Sequence, residues 1–270
     1  MILEEIAAKT RERIEAEKRI VPPEEIRVLA AEAKVRRQEK NGEIFPFEKV
    51  LAKPGMSFIC EVKKASPSRG VIAEHFPYVK IAEEYEAAGA DAISVLTEPF
   101  YFRGSNQYLA EIRSRVTVPL LRKDFTVDEY MIYQAGVIGA DAILLVCALL
   151  SPGQLREYGE IAGELGLSAL VEVHDEREME MALSGGARIV GVNNRNLQDF
   201  SVDPENSLRL RGLAPREILF VSESGMKARE DIVRLEENGT DGVLIGESLM
   251  RSPDKGEFLR RLRGEHEDKN

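Results

Sequence analysis

Continuous apolar runs recur along this chain, separated by stretches whose apolar residues follow a helical period. The runs lie near residues 57–63, 92–96, 118–122, 142–147, 168–173, 188–193, 218–222 and 241–245. They are unbroken rather than alternating, as in strands covered on both faces. A repeat organises them: "GADAISVL" from Gly89, "GADAILLV" from Gly139, "GTDGVLIG" from Gly239 and a weaker "GGARIVGV" from Gly185. Each copy reads as a helix-ending glycine, a small polar turn and a buried strand. The copies return about every 50 residues, room for two strand–helix units. Helical patterns such as "PYVKIAEEYEAAG", "TVDEYMIYQAGVIG", "SPGQLREYGEIAGELG" and "MKAREDIVRLEENG" fill the gaps. Eight such units predict an α/β fold, a closed (β/α)8 TIM barrel. An open doubly wound sheet is disfavoured, because no G-x-G-x-x-G follows the first strand.

Residues 1–48 carry a different pattern. Ile2, Leu3, Ile6, Ala7 and Ile14 form a helical stripe, which Pro22 and Pro23 break. Pro23 can open a second helix that places Ile26, Leu29, Ala30 and Ala33 on one face and ends at Asn41-Gly42. The expectation is an N-terminal helical extension (1–48) packed on a catalytic barrel (49–270), a single domain overall.

Barrel enzymes carry their chemistry at the C-terminal ends of the strands. Alternation of side chains lets those ends be read. In the first strand Ile59, Glu61 and Lys63 share a face, with Cys60 and Val62 opposite. The third pairs Leu121 with Lys123, and the fifth Leu170 with Glu172. The sixth aligns Ile189, Gly191 and Asn193, and the seventh Leu219, Val221 and Glu223. Five strands thus end in a polar residue in phase with inward apolar ones. A lone strand-end charge usually just reaches solvent, but five together point to a site. Close opposite charges hold both partners ionised, whereas burial and like charges push carboxylates up and lysines down in pKa, so such a group can offer an acid and a base near neutrality.

Glycine-containing turns follow the last two strands. "SESGM" places Ser224 and Gly225, and "LIGESLM" places Gly246 and Glu247, where backbone N–H groups can hold a phosphate. "GVNNRNL" adds an exposed Asn/Arg turn. The loop "KASPSRGVIAEHFP" spans about 14 residues where roughly 2–6 are usual, which suggests a lid.

The 270 residues are 43% hydrophobic, enough for a full core, with a net charge of −10. That balance argues against a nucleic-acid partner and leaves room for a small cationic pocket that binds an anionic substrate. The start lacks the basic and apolar regions of a signal peptide, and no run approaches the roughly 20 apolar residues of a membrane span. A cytoplasmic protein is expected, a monomer with a homodimer as the alternative. Cys60 and Cys147 read as buried thiols, and no Cys/His cluster suggests a metal. Three histidines are present. His75 reads as a surface residue, His174 as a loop residue at the start of the fifth helix with a base beside Glu172 as the alternative, and His266 lies in the charged tail "RGEHEDKN".

Taken in order, "CEVKKASPSRG", "SVLTEPFYFRGS", "LLRKDF", "LVEVHD", "VGVNNRNL", "SESGM" and "VLIGESLM" resemble the indole-3-glycerol phosphate synthase family, across nearly the whole chain. The resemblance implies ring closure, decarboxylation and dehydration of 1-(2-carboxyphenylamino)-1-deoxyribulose 5-phosphate, with no cofactor and no metal. It implies Lys123 as general acid at the ketone oxygen and Glu172 as acid or base in dehydration. Lys63 would bind the substrate's carboxylate or phosphate, or donate a proton, with Glu61 positioning it. Asn193 and Glu223 would orient substrate and lysines. Ser66, Arg195, Ser224, Gly225, Gly246 and Glu247 would surround the phosphate, and Phe102 and Phe125 would wall the aromatic ring. Some members of the family have Ser where this chain has Glu247, so that carboxylate should point away from the phosphate. Two other readings compete. A phosphoribosylanthranilate isomerase would be expected to use a Cys/Asp pair, for which Cys60 faces the wrong way. A non-catalytic phosphate-binding barrel would not keep the acid–base groups.

Overall fold

The structure, a computed structural model, describes residues 2–42, 44–196 and 199–265; His266 lies outside them. Two long helices come first, α1 (Ile2–Ile20) and α2 (Pro23–Asn41), and a short one, α3 (Pro46–Leu51), follows. Pro23 opens α2, and Gly42 closes it in the left-handed conformation at φ 63°.

Eight parallel strands then close a barrel. The first strand is β1 (Ser57–Val62). A small antiparallel hairpin, β2 (Ala65–Ser66) and β3 (Gly70–Val71), rises from the loop after it. The next units are α4 (Tyr78–Ala87) with β4 (Ala92–Leu96), α5 (Asn106–Arg113) with β5 (Leu120–Lys123), and α6 (Tyr130–Ile138) with β6 (Ala142–Val146). Then come α7 (Pro152–Glu164), β7 (Ser168–Val173), α8 (Glu176–Ser184) and β8 (Ile189–Asn193). The chain finishes through α9 (Glu205–Arg211), β9 (Leu219–Glu223), α10 (Arg229–Glu237), β10 (Gly242–Ile245), α11 (Glu247–Arg251) and α12 (Lys255–Arg263). β1 pairs with both β10 and β4, which leaves no open edge. The eight barrel strands fall within two residues of the expected positions.

The strand phase is as expected. Ile59, Leu121, Leu170, Ile189, Val221 and Leu244 pack together inside the barrel. Phe58, Cys60 and Val62 pack outside, among the helices. Phe47 and Leu51 of α3 join the inner cluster fully buried. They plug one end of the barrel, which no pattern had marked, and α3 straddles the expected division at 48/49.

The repeat sits at the opposite end from the polar strand termini. Asp91 accepts a hydrogen bond from Phe58 N at 2.9 Å, Asp141 from Leu120 N at 2.9 Å, and Asp241 from Phe220 N at 2.8 Å. Each aspartate thereby ties the start of a neighbouring strand, a stability role at the N-terminal face. In the weak copy the left-handed glycine is Gly186 (φ 82°), not Gly185, and Arg188 replaces the aspartate. Arg188 turns outward to Glu48 instead, at 2.7 Å.

The extension packs against the barrel. Ala7 and Ile14 of α1 and Ile26 of α2 meet Val127, Tyr130 and Met131. Leu29 and Ala33 stay half-exposed. Arg13 reaches Asp124 at 3.0 Å, and Lys18 reaches Asp128 at 2.7 Å.

Candidate active site

At the C-terminal end of the barrel lies a cavity of about 440 Å³. All fourteen expected site residues line it. Its apolar share comes from Leu144 and Leu244 below, Phe102 and Phe125 at the side, and Ile2, Leu3 and Ile6 of α1. The two phenylalanine rings stand 5.9 Å apart, tilted by 41°. No period in α1 had announced that its first turn faces a site.

Lys123, the last residue of β5, lies across the barrel mouth between two strand ends. Its Nζ donates to Glu172 Oε2 at 2.8 Å and to Glu223 Oε2 at 2.7 Å. Burial alone would lower its pKa, but the two carboxylates outweigh burial and raise it. Of the two opposing influences on such a lysine, opposite charge therefore wins over burial at Lys123. The two glutamates diverge. Burial, with Glu172 nearby, pushes Glu223 up to about 7 despite Lys123. Glu172 is equally buried, yet Lys123 and His174 hold it below its usual value. Two carboxylates on one ammonium thus differ in their hold on a proton, as an acid–base pair requires.

A second ion pair, Lys63 Nζ to Glu61 Oε1 at 2.6 Å, tops β1. Gly246 makes room for it, because a Cβ there would strike Glu61 Oε1 and Lys63 Nζ. Asn193 joins the two halves of the site. Its Nδ2 donates to Glu172 Oε1 at 3.3 Å, while its Oδ1 accepts from Arg195 N and Ser224 Oγ.

The glycine turns are built differently from each other. Ser224 (φ 68°) and Gly225 (φ 98°) are both left-handed, and α10 starts only at Arg229. The chain therefore doubles back before the helix. After β10, by contrast, α11 starts directly behind Gly246. Glu247 faces Arg69 Nε at 3.1 Å, Arg251 Nε at 3.4 Å and Arg195 Nη2 at 3.8 Å. Its carboxylate thus collects guanidinium groups at the rim, and Arg69 belongs to the turn between β2 and β3.

Three further residues support the site: Glu98 and Asp124, to which the sequence assigned no role, and His174. Glu98, fully buried, accepts the N–H groups of Phe100, Tyr101 and Phe102 at 2.9, 2.8 and 2.9 Å. It shapes the loop that presents Phe102. An acid two residues past a strand and before Pro99 was the available signal. Asp124 holds Arg13 and accepts from Thr97 Oγ1 at 2.7 Å. His174 lies behind Glu172, with Nε2 at 3.5 Å from Glu172 Oε1 and Nδ1 at 3.1 Å from Glu178 Oε2. It does sit just before α8, while His75 is exposed. Cys60 and Cys147 are free and buried, and burial raises both thiols, Cys147 to about 12. Among the described residues no group of His, Cys, Asp and Glu is arranged to hold a metal ion, and no helix is long and apolar enough to cross a membrane.

Residues 3–262 match the sequence model of a family described as indole-3-glycerol phosphate synthase. A relative of that name from Ruminiclostridium cellulolyticum is 54% identical over 98% of this chain and 99% of its own length. Another, from Lachnoclostridium phytofermentans, is 49% identical over 97% of this chain and 99% of its own. The fold also resembles 3-hexulose-6-phosphate synthase from Salmonella typhimurium, with a TM-score of 0.64. That likeness covers 78% of this chain and 100% of the other at 16% identity, and so speaks for the barrel alone.

Proposed function

This chain belongs to the indole-3-glycerol phosphate synthase family, and from that premise we propose that Lys123, held between Glu172 and Glu223, is the general acid of its carboxy-lyase reaction. The reaction acts on a phosphorylated small molecule. It joins an aromatic carbon of 1-(2-carboxyphenylamino)-1-deoxyribulose 5-phosphate to the ketone carbon and expels carbon dioxide and water.

Ring closure needs the two carbons in contact and a proton at the ketone oxygen. The turns at Ser224–Gly225 and Gly246–Glu247, with Ser66 and Arg195, hold the phosphate at one end of the cavity. Lys63, steadied by Glu61, grips the carboxylate at the other. Phe102 and Phe125 wall the aromatic ring. Fixing both anionic ends turns a floppy chain into a near-attack conformer. Lys123 then protonates the developing alkoxide. It is charged at neutral pH, and its position between two carboxylates keeps it aimed. Loss of carbon dioxide restores aromaticity. Hydroxide departs as water with a proton from a neighbouring acid, either Lys63 or protonated Glu172. The proton beside the ring nitrogen goes to a carboxylate. Asn193 keeps Glu172 in register for that exchange. Arg69 of the β2–β3 turn, paired with Glu247, closes the loop over bound substrate. Cytoplasmic location and a monomeric state, or a homodimer, belong to the same proposal, and light scattering after gel filtration reads the latter.

The observation that carries this reading is the Glu172–Lys123–Glu223 bridge across the cavity floor. The test is conversion of that substrate to a product with indole absorbance, with EDTA present. Wild-type turnover together with loss of at least about 10²-fold in Lys123→Ala is expected. Unchanged activity in that variant would remove Lys123 from the role.

A further inference from the structure

Each turnover draws one proton from solvent. The ketone oxygen leaves as water and takes up two protons on the way. The carbon beside the nitrogen returns one of them when the double bond forms. The second is not returned, because the carboxylate departs as neutral carbon dioxide. Substrate plus one proton therefore balances product, carbon dioxide and water. Lys123, once spent, must be recharged while buried at the cavity floor.

Among the described residues, His174 is the titratable side chain outside the cavity lining that faces the Glu172 carboxylate. His174 stands behind Glu172, its buried Nε2 making no hydrogen bond and facing Glu172 Oε1 at 3.5 Å. Its Nδ1 meets Glu178 Oε2 at 3.1 Å, and Glu178 is further fixed by the His174 backbone N–H at 2.8 Å. The imidazole side chain is 20% exposed and Glu178 19%. Asn206 of α9 donates to the His174 carbonyl and Asp175 caps Glu178 N, so the backbone here is held from two sides. Among the described residues, the charged groups acting most on the ring are Glu172 near the end of β7, Glu178 on α8 and Glu223 on β9, all acidic.

We propose that His174 is the port through which this proton re-enters the site, passing from Nε2 to Glu172 and on to Lys123. The step balances as imidazolium plus carboxylate giving imidazole plus carboxylic acid. Rotation of the carboxyl brings the proton to Lys123, already hydrogen-bonded to Glu172 at 2.8 Å. The half-buried ring then regains a proton from water. Burial opposes a charge on His174, but Glu178 and Glu172 outweigh it and hold its pKa above the ordinary value, which favours the loaded port. His174 acts through Glu172 and does not touch substrate, so it is a positioning residue for the proton. The inference rests on the role proposed above for Glu172 and Lys123.

The first turnover uses protons already in place, and only later ones need the port. His174→Asn is therefore to be compared with wild type in two ways: a single turnover with enzyme in excess, and steady state. The single-turnover rate is expected to hold, while kcat falls by about tenfold or more at pH 8. The deficit should shrink toward pH 6 and with added imidazole. Unchanged kcat overturns the port. So does an equal loss in both regimes without imidazole rescue, since that is what a structural role predicts. Glu178→Gln gives a second test that keeps the ring: the pH at which kcat declines should move down, and an unmoved profile also counts against the port. Glu172→Gln separates the levels. If it abolishes even the single turnover while His174→Asn behaves as wild type, only the port fails. If Glu172→Gln is active, the role of Glu172 fails with it.

Discussion

Glu223 occupies the space that a side chain at Gly191 would need. A Cβ on Gly191 would collide with Glu223 Oε1, and Leu170 Cδ1 would lie only 3.1 Å away. Gly191 lies on the neighbouring strand, two positions before Asn193, and it opens the notch from which Glu223 reaches Lys123. Gly191→Ala should therefore push Glu223 off the lysine. We expect a loss of about 1–3 kcal/mol in stability from overpacking and a fall in kcat of at least about 10²-fold. Thermal melts and steady-state assays read both. Full kcat in a folded Gly191→Ala protein would show that the place of Glu223 is dispensable.

The two lysines should separate in kinetics. Lys63 touches only Glu61 among the described carboxylates, whereas Lys123 is shared by two. If Lys63 only grips substrate, Lys63→Ala raises KM with kcat retained. If it also donates a proton in dehydration, kcat falls by about 10²-fold. Glu172→Gln keeps the shape and removes the basic oxygen, and it should lower kcat with little change in KM.

Glu223 makes stability depend on pH in an unusual direction for a carboxylate. Its folded pKa is raised to about 7, because burial outweighs Lys123. Between the ordinary glutamate value and about 7 the folded state binds the extra proton, so this group's contribution to stability is lost as pH rises through that window. Glu223→Gln removes the ionisation. Its melting temperature relative to wild type should rise from pH 5 to pH 8, by an amount worth about 1–3 kcal/mol, while activity falls. A difference flat with pH would mean that Glu223 titrates normally.

Asp141 offers the opposite control, at the far end of the barrel. It is buried, accepts Leu120 N at 2.9 Å and pairs with Arg113 at 2.9 Å. Asp141→Ala leaves a strand N–H unsatisfied and should cost about 1–3 kcal/mol. Its kcat, measured well below the melting temperature, should stay within about twofold of wild type, since it lies on the stability face rather than the catalytic one. Substantial loss of kcat would mean that strand register, and with it the Lys123 geometry, depends on this tie.

Much of the site was legible because strand side chains alternate. Once Ile59, Leu121, Leu170, Ile189 and Val221 were taken as inward, Glu61, Lys63, Lys123, Glu172, Asn193 and Glu223 followed as a ring, and they line one cavity. Gly186 was misplaced by one residue because either of two adjacent glycines fits a helix end, and only the backbone angles tell them apart. Which influence wins at Lys123 could not be read along the chain, because it depends on two carboxylates at 2.7 and 2.8 Å from strands far away in sequence.

What the sequence determined by itself was the periodic part: eight buried strands, their inward faces, the helical extension and the residue types at the strand ends. Local sterics and the burial of apolar side chains set these, and both leave a repeating trace along the chain. Tertiary structure decided what lies between distant segments. It placed Ile2 and Leu3 of α1 over the site and Phe47 and Leu51 inside the barrel, drew Arg69 to Glu247, and set His174 against Glu172. Such contacts have no period. They arise from closing the barrel, which brings strand ends together at hydrogen-bonding distance whatever their separation along the chain.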